Sequence, residues 1–275
     1  MKKNRSEERN MRIVKVNKDS IANILSDLLK RSPTNYGDFQ DKVDAIIKNV
    51  RDNGDKAVFD YTAQFDKAEI NAENILVTEE EIKEAYEEVD DELIKVIRKA
   101  IKNIRDFHEK QIQKSWFETR EDGVMLGQKV TPMETCGVYV PGGKAVYPSS
   151  VLMNIVPAHV AGVKNIIMTT PPGKDGKVTA NTLVAAKEAG ATKVYKVGGA
   201  QAIAAMAFGT ESIPKVDKIV GPGNIFVALA KKAVYGNVSI DSIAGPSEIL
   251  VLADETANPR YVAADLPVSY THLTL

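Results

Sequence analysis

Apolar residues recurring at three- and four-residue intervals mark the chain as helical to about Lys114. Over residues 19–31, Ile21, Ile24, Leu25, Leu28 and Leu29 fall on one face, and Ser32-Pro33 closes that helix because proline cannot continue it. A second helix carries Val43, Ile46, Ile47 and Val50 and is stopped by Asn53-Gly54. The sharpest start signal is Thr78: its hydroxyl caps exposed N–H groups while Glu81 reaches back, a capping box. Behind it Ile82, Ala85, Tyr86, Val89, Leu93, Val96, Ile97, Ala100, Ile101, Ile104 and Phe107 make a stripe that must bury against something. Asp90-Asp91 divides the stripe into two helices.

From about Cys136 the pattern changes. Short β-branched runs alternate with Ala-rich helical segments, and glycines stand at the joins, as in parallel α/β units. Strands are predicted at 137–140, 165–170, 193–197, 217–220 and 248–252, and helices at 149–163, 179–189, 200–208 and 224–235. Pro157 should kink the first of these helices, and Asp175-Gly176 makes a turn. The expected fold is α/β: a Rossmann-like parallel sheet over 131–247, preceded by a mainly helical region, 1–130, that is part of a first domain. Residues 248–275 begin the return to that first domain.

Charge and composition narrow the class. Lys and Arg number 36 against 37 Asp and Glu, a net charge of −1, which supplies no electrostatic footprint for nucleic acid or an anionic membrane. A small neutral or zwitterionic substrate fits better. No apolar run approaches membrane-span length, so a cytoplasmic protein is expected. Cys136 is the single cysteine, which rules out an internal disulfide; as a small buried filler it would be inert. His108 reads as a surface or packing residue, and the acidic run 79–91 as a solvated helix face.

In open parallel sheets, ligands gather where loops and helix N-termini converge at the carboxyl ends of strands. Three joins there pair glycines with one polar or aromatic residue: Tyr139 ahead of Gly142-Gly143, Gln201 behind Gly198-Gly199, and Asn224 behind Gly221-Pro222-Gly223. Glycine lets a backbone approach a ligand closely, and the three side chains supply hydrogen bonds or an aromatic face. Equally, glycines at such joins serve merely to end strands and start helices. Neither a G-x-G-x-x-G nor a Walker phosphate loop occurs, so these residues imply a crevice without naming its ligand. A fifth join, 240–248, sets Ser247 and Glu248 beside a Gly-Pro bend, where Ser247 addresses either a substrate or its own backbone.

The stretches YVPGG (139–143), VGGAQAIAAMAFGTESIPKVDKIVGPGN (197–224) and AGPSEILVLAD (244–254), in this order and spacing, resemble the histidinol dehydrogenase family. The likeness runs from roughly Ile13 to Leu266. It implies an aldehyde-dehydrogenase-like Rossmann fold, a homodimer, and oxidation of L-histidinol to L-histidine through the aldehyde with two NAD and one zinc. By the same resemblance Tyr139, Gln201 and Asn224 contact NAD, and Ser247 contacts substrate.

After Leu266 the family pattern continues with a helix bearing a Gln and a His as zinc ligands, whereas this chain reads Pro267 to Leu275; Ser269 and His272 fall at those two spacings. The residues 267–275 are therefore expected to be a non-family tail. The remaining zinc ligands and the acid-base pair would lie further on, so no catalytic or metal residue is assigned in this chain. A zinc site needs about three protein ligands, and the polypeptide alone is expected to show no histidinol oxidation. Two other readings compete: a non-catalytic NAD-binding or oligomer-forming module, and an aldehyde-dehydrogenase-like enzyme using Cys136.

Overall fold

The computed structural model describes residues 37–142, 147–243 and 251–264. The chain divides by contact into Met1–Asp38 and Phe39–Leu275; the predicted helix at 19–31 lies outside the described residues. The sheet and the helices that pack on it belong to the second unit.

Five parallel strands form the centre: β3 (Thr135–Tyr139), β4 (Asn165–Thr170), β5 (Lys193–Lys196), β6 (Lys218–Val220) and β7 (Ser239–Ile240). Their order is β5-β4-β3-β6-β7, so the chain runs outward in one direction and then returns to β3 to run the other way. The reversal falls between β3 and β6, which makes their carboxyl ends the topological switch point. The crossovers are α4 (Pro148–Val160), α5 (Ala180–Ala189), α6 (Gly199–Phe208) and α7 (Ile225–Val234). Pro157 lies in the last turn of α4, which ends at Val160.

Alternation along the strands sorts side chains between two cores. Cys136, Val138 and Val140, with Ile166 and Met168, pack against α4 and α5. On the opposite face α6 crosses β3 closely: a Cβ at Gly137 would come within 2.6 Å of Met206 Sδ, so a larger residue would have to displace that side chain.

The N-terminal helices cover these layers. α1 (Gly37–Phe65) is two helical runs joined across Gly54 (φ 55°, ψ −135°). Asn53-Gly54 therefore interrupts the helix instead of stopping it, because Glu211 accepts the Asp55 N–H at 2.8 Å and restarts it. α2 (Glu79–Glu88) begins with the Thr78–Glu81 capping box, and Asp90 caps α3 (Asp91–His108). α2 packs on α5, and α3 on both α4 and α5, through Ala85, Val89, Ile94 and Ile97. Val96 and Phe107 are exposed, contrary to the stripe, since the buried line runs through 94 and 97 and both lie off it.

The acidic run is also more than a solvated face. Glu79 pairs with Lys187, Glu84 with Lys177, and Glu81 with the buried Lys196, so α2 meets the sheet module through complementary charge. Burial would raise the Glu81 carboxyl, but the bonds from Lys196 and Thr78 hold it below its ordinary value. His108 is a surface residue hydrogen-bonded to Gln111. A hairpin, β1 (Trp116–Thr119) with β2 (Met125–Gln128), stands exposed along its whole length. Of the predicted strand at 248–252, residues 248–250 lie outside the described residues; Val251 and Leu252 form no strand, and Leu252 is exposed.

Candidate cofactor crevice

Tyr139 ends β3 and is buried at the switch point. Its phenol oxygen accepts the Gly199 N–H at 3.2 Å. Burial pushes the phenol up to about 12, against the lowering pull of that hydrogen bond, so Tyr139 remains a neutral hydroxyl at any physiological pH. Gly199 opens α6 at φ +64°, and a Cβ there would sit 2.5 Å from Gln201 Oε1. Gly199 thus stands between Tyr139 and Gln201 and brings the first two predicted contacts together.

The neighbouring joins close on the same place. A Cβ at Gly198 would meet Pro171 at 2.5 Å and one at Gly142 would meet it at 2.8 Å, so the chain leaving β3, β4 and β5 converges at Pro171. The loop from β6 touches β3 instead: Gly221, at φ +115°, lies so near Tyr139 that a Cβ would fall 2.0 Å from its carbonyl oxygen.

Gln201 is 1% exposed, and neither its amide oxygen nor its nitrogen has a hydrogen-bond partner among the described residues. A buried unpaired amide costs roughly 1–3 kcal/mol, which a ligand bonding to it would offset. The helix it belongs to has no side-chain cap. Asn224 has a different task. Its Oδ1 accepts from the N–H groups of Phe226 and Val227 at 3.0 and 3.2 Å, making it the N-cap of α7; it is exposed, with its NH2 left for a second contact. Ser247 lies in 244–250, outside the described residues, as does Gly143.

Three residues here were not singled out from the sequence. Lys231 is 2% exposed; its ammonium donates to the Gly221 carbonyl at 2.8 Å and pairs with Asp241. Asp241 in turn accepts the Gly221 N–H at 2.9 Å. The available signal was spacing: Val227, Lys231 and Val234 follow at four and three residues, which puts a lysine on an apolar helix face. The third, Asp66, follows α1 and has a buried Oδ2 with no partner among the described residues; its charge is among the causes that raise the Tyr139 hydroxyl. Burial pushes the Asp66 carboxyl up to about 6.

Cys136 is 3% exposed in the α4 and α5 core, and desolvation pushes its thiol up to about 11. A thiol so placed is not an accessible nucleophile, which removes the aldehyde-dehydrogenase-like reading that used it. A cleft of 100 Å³ between Pro141-Gly142 and Thr170-Pro171-Pro172 is too small for a dinucleotide. A larger one, 320 Å³, lies between α1 and α7 and shares no lining residue with the crevice. Among the described residues no group of three His, Cys, Asp or Glu could hold a metal ion.

A family model described as histidinol dehydrogenase matches residues 29–272. The histidinol dehydrogenase of Halalkalibacterium halodurans is 56% identical over 257 residues, 93% of this chain and 58% of that protein. That of Bacillus subtilis is 62% identical over 224 residues, 82% of this chain and 52% of its own length. A crystal structure of histidinol dehydrogenase from Elizabethkingia anophelis superposes with a TM-score of 0.79 at 44% identity, covering 85% of this chain and 54% of that one. The chain spans about half the length of these relatives. With that match over most of its residues, the chain belongs to the histidinol dehydrogenase family.

Proposed function

We propose that residues 131–247 bind NAD for the oxidation of L-histidinol to L-histidine by way of the aldehyde, with the dinucleotide held at the carboxyl ends of β3, β5 and β6. The observation that carries this is Gln201: a buried amide with both polar atoms unpaired, beside a glycine-opened helix, is a receptor without its ligand. NAD, when bound, supplies the acceptor for the hydride in each of two oxidations. The chain's residues bind and orient it. Gln201 offers one donor and one acceptor, and Tyr139 walls the crevice with a neutral ring. The N-terminus of α6, where the Tyr139 hydroxyl already takes the Gly199 N–H, has further backbone N–H groups suited to a diphosphate. Asn224 adds its exposed NH2, and Ser247 contacts the substrate.

Zinc finds no donor set among the described residues, and none of them is assigned to it. The family's activity also carries the proposed substrate class and a homodimeric assembly.

Calorimetric titration of NAD tests the crevice. The chain should bind NAD saturably, and Gln201→Leu, nearly the same volume without the amide, should weaken binding by about 10- to 100-fold, as loss of a buried polar contact does. An absence of saturable binding, or equal affinity in the leucine variant, would refute the assignment.

A further inference from the structure

Behind the crevice, an ion pair between the buried Lys231 and the partly exposed Asp241 claims both backbone polar groups of a single glycine. Lys231 of α7 donates to the Gly221 carbonyl at 2.8 Å, and the carboxylate it pairs with, Asp241, accepts the Gly221 N–H at 2.9 Å. The second Asp241 oxygen also accepts the Ser242 N–H at 2.6 Å. Asp241 follows β7 directly, while Gly221 follows β6. The pair therefore ties together two chain segments: the one that leads to Asn224 and the one that leads to Ser247.

Packing alone does not account for a lysine at this place. Taking an ammonium out of water is expensive, and an apolar residue on the same helix face would fill the space without that cost. An apolar residue could not, however, hold the Gly221 peptide by both ends. That peptide needs holding, because Gly221 sits at φ +115° against the Tyr139 carbonyl, where the strand order reverses.

We propose that Lys231 and Asp241 are positioning residues for the dinucleotide site: acting through Gly221, they fix the cofactor loop that leads from β6 to Asn224 against the chain leaving β7. This rests on the NAD assignment made above. The residues touch neither cofactor nor substrate; their effect is to keep the loop from having to order itself when ligand arrives.

The test is the double variant Lys231→Met with Asp241→Leu, which removes both charges together so that the buried ammonium is not left unpaired. Amide hydrogen exchange and NAD titration are measured on the variant and the parent chain. We expect a folded variant in which Gly221 and Ser242 exchange about tenfold faster or more while β4 amides are unchanged, and in which NAD affinity falls about tenfold. A purely structural pair would leave both readings at parent values in the folded variant, and that result overturns the proposal. So does faster loop exchange with undiminished affinity. Should the double variant fail to fold, Asp241→Asn, which keeps the side-chain shape, is read the same way. If the parent chain itself takes up no NAD, the cofactor assignment is what has failed, and the proposal as a cofactor device falls with it; unchanged loop exchange in the variant of a parent that does bind NAD sinks the strap alone.

Discussion

The loop leaving β6 and the helix opening after β5 each place a glycine at positive φ beside Tyr139, yet their polar groups are treated in opposite ways. On the β6 side Gly221 is bonded through both its N–H and its carbonyl, and Asn224 caps α7. On the β5 side the Tyr139 hydroxyl takes the Gly199 N–H, but Gln201 is buried with no hydrogen-bond partner among the described residues. Asp66 Oδ2 adds a third buried polar atom without a partner among the described residues. One wall is internally complete and the other is waiting. Completeness marks the scaffold, which must not move, and the deficit marks the surface that a ligand satisfies.

Adding a single methyl group to each wall breaks this comparison most directly. At Gly221 the new Cβ meets backbone at 2.0 Å, with no side chain free to yield. Gly221→Ala should therefore cost about 3 kcal/mol or more and lower the Tm by roughly 10 °C. At Gly199 the obstruction is the end of the Gln201 side chain, 2.5 Å away, which can turn aside. Gly199→Ala should cost only about 1 kcal/mol from its positive φ, but should weaken NAD binding by displacing that amide. Calorimetric scans of the two variants giving equal losses would erase the distinction between the walls.

The third test reverses the usual sign. Gln201→Leu removes an unpaired buried amide, so the chain without NAD should gain about 1 kcal/mol, a rise of about 2–4 °C in Tm, while losing affinity. A fall in Tm would mean the amide already has a partner, such as ordered water, and is not a vacant receptor.

Much of this architecture is legible in the sequence because it is locally encoded. The strand at 165–170 and the Thr78 capping box can be read to the residue, since a short β-rich run and an (i, i+3) cap are written in adjacent side chains. Tyr139 and Gln201 stand out because glycines flag strand ends. What escapes depends on distant partners. β7 is two residues long, too short for a period, and is defined only by β6 beside it. The β1 and β2 hairpin exposes both faces and so leaves no alternation. Lys231 has the look of a surface lysine until Gly221 and Asp241 are seen around it, and Asn224 reads as a ligand contact although half of its amide caps α7.

Asp66 gives the sharpest pH signature. Burial raises its folded pKa from 3.8 to about 6, so the native state holds a proton that the unfolded chain has released. That contribution to stability is fully present below pH 3.8 and is lost as pH rises through about 6. Asp66→Asn cannot ionise and escapes the loss. Its Tm advantage over the parent chain should be largest above pH 6 and should shrink toward pH 4, with thermal scans at half-unit intervals as the measurement. A difference that stays constant across the range would mean that the Asp66 carboxylate is solvated or paired in the folded chain. The deficit would then be confined to Gln201 alone.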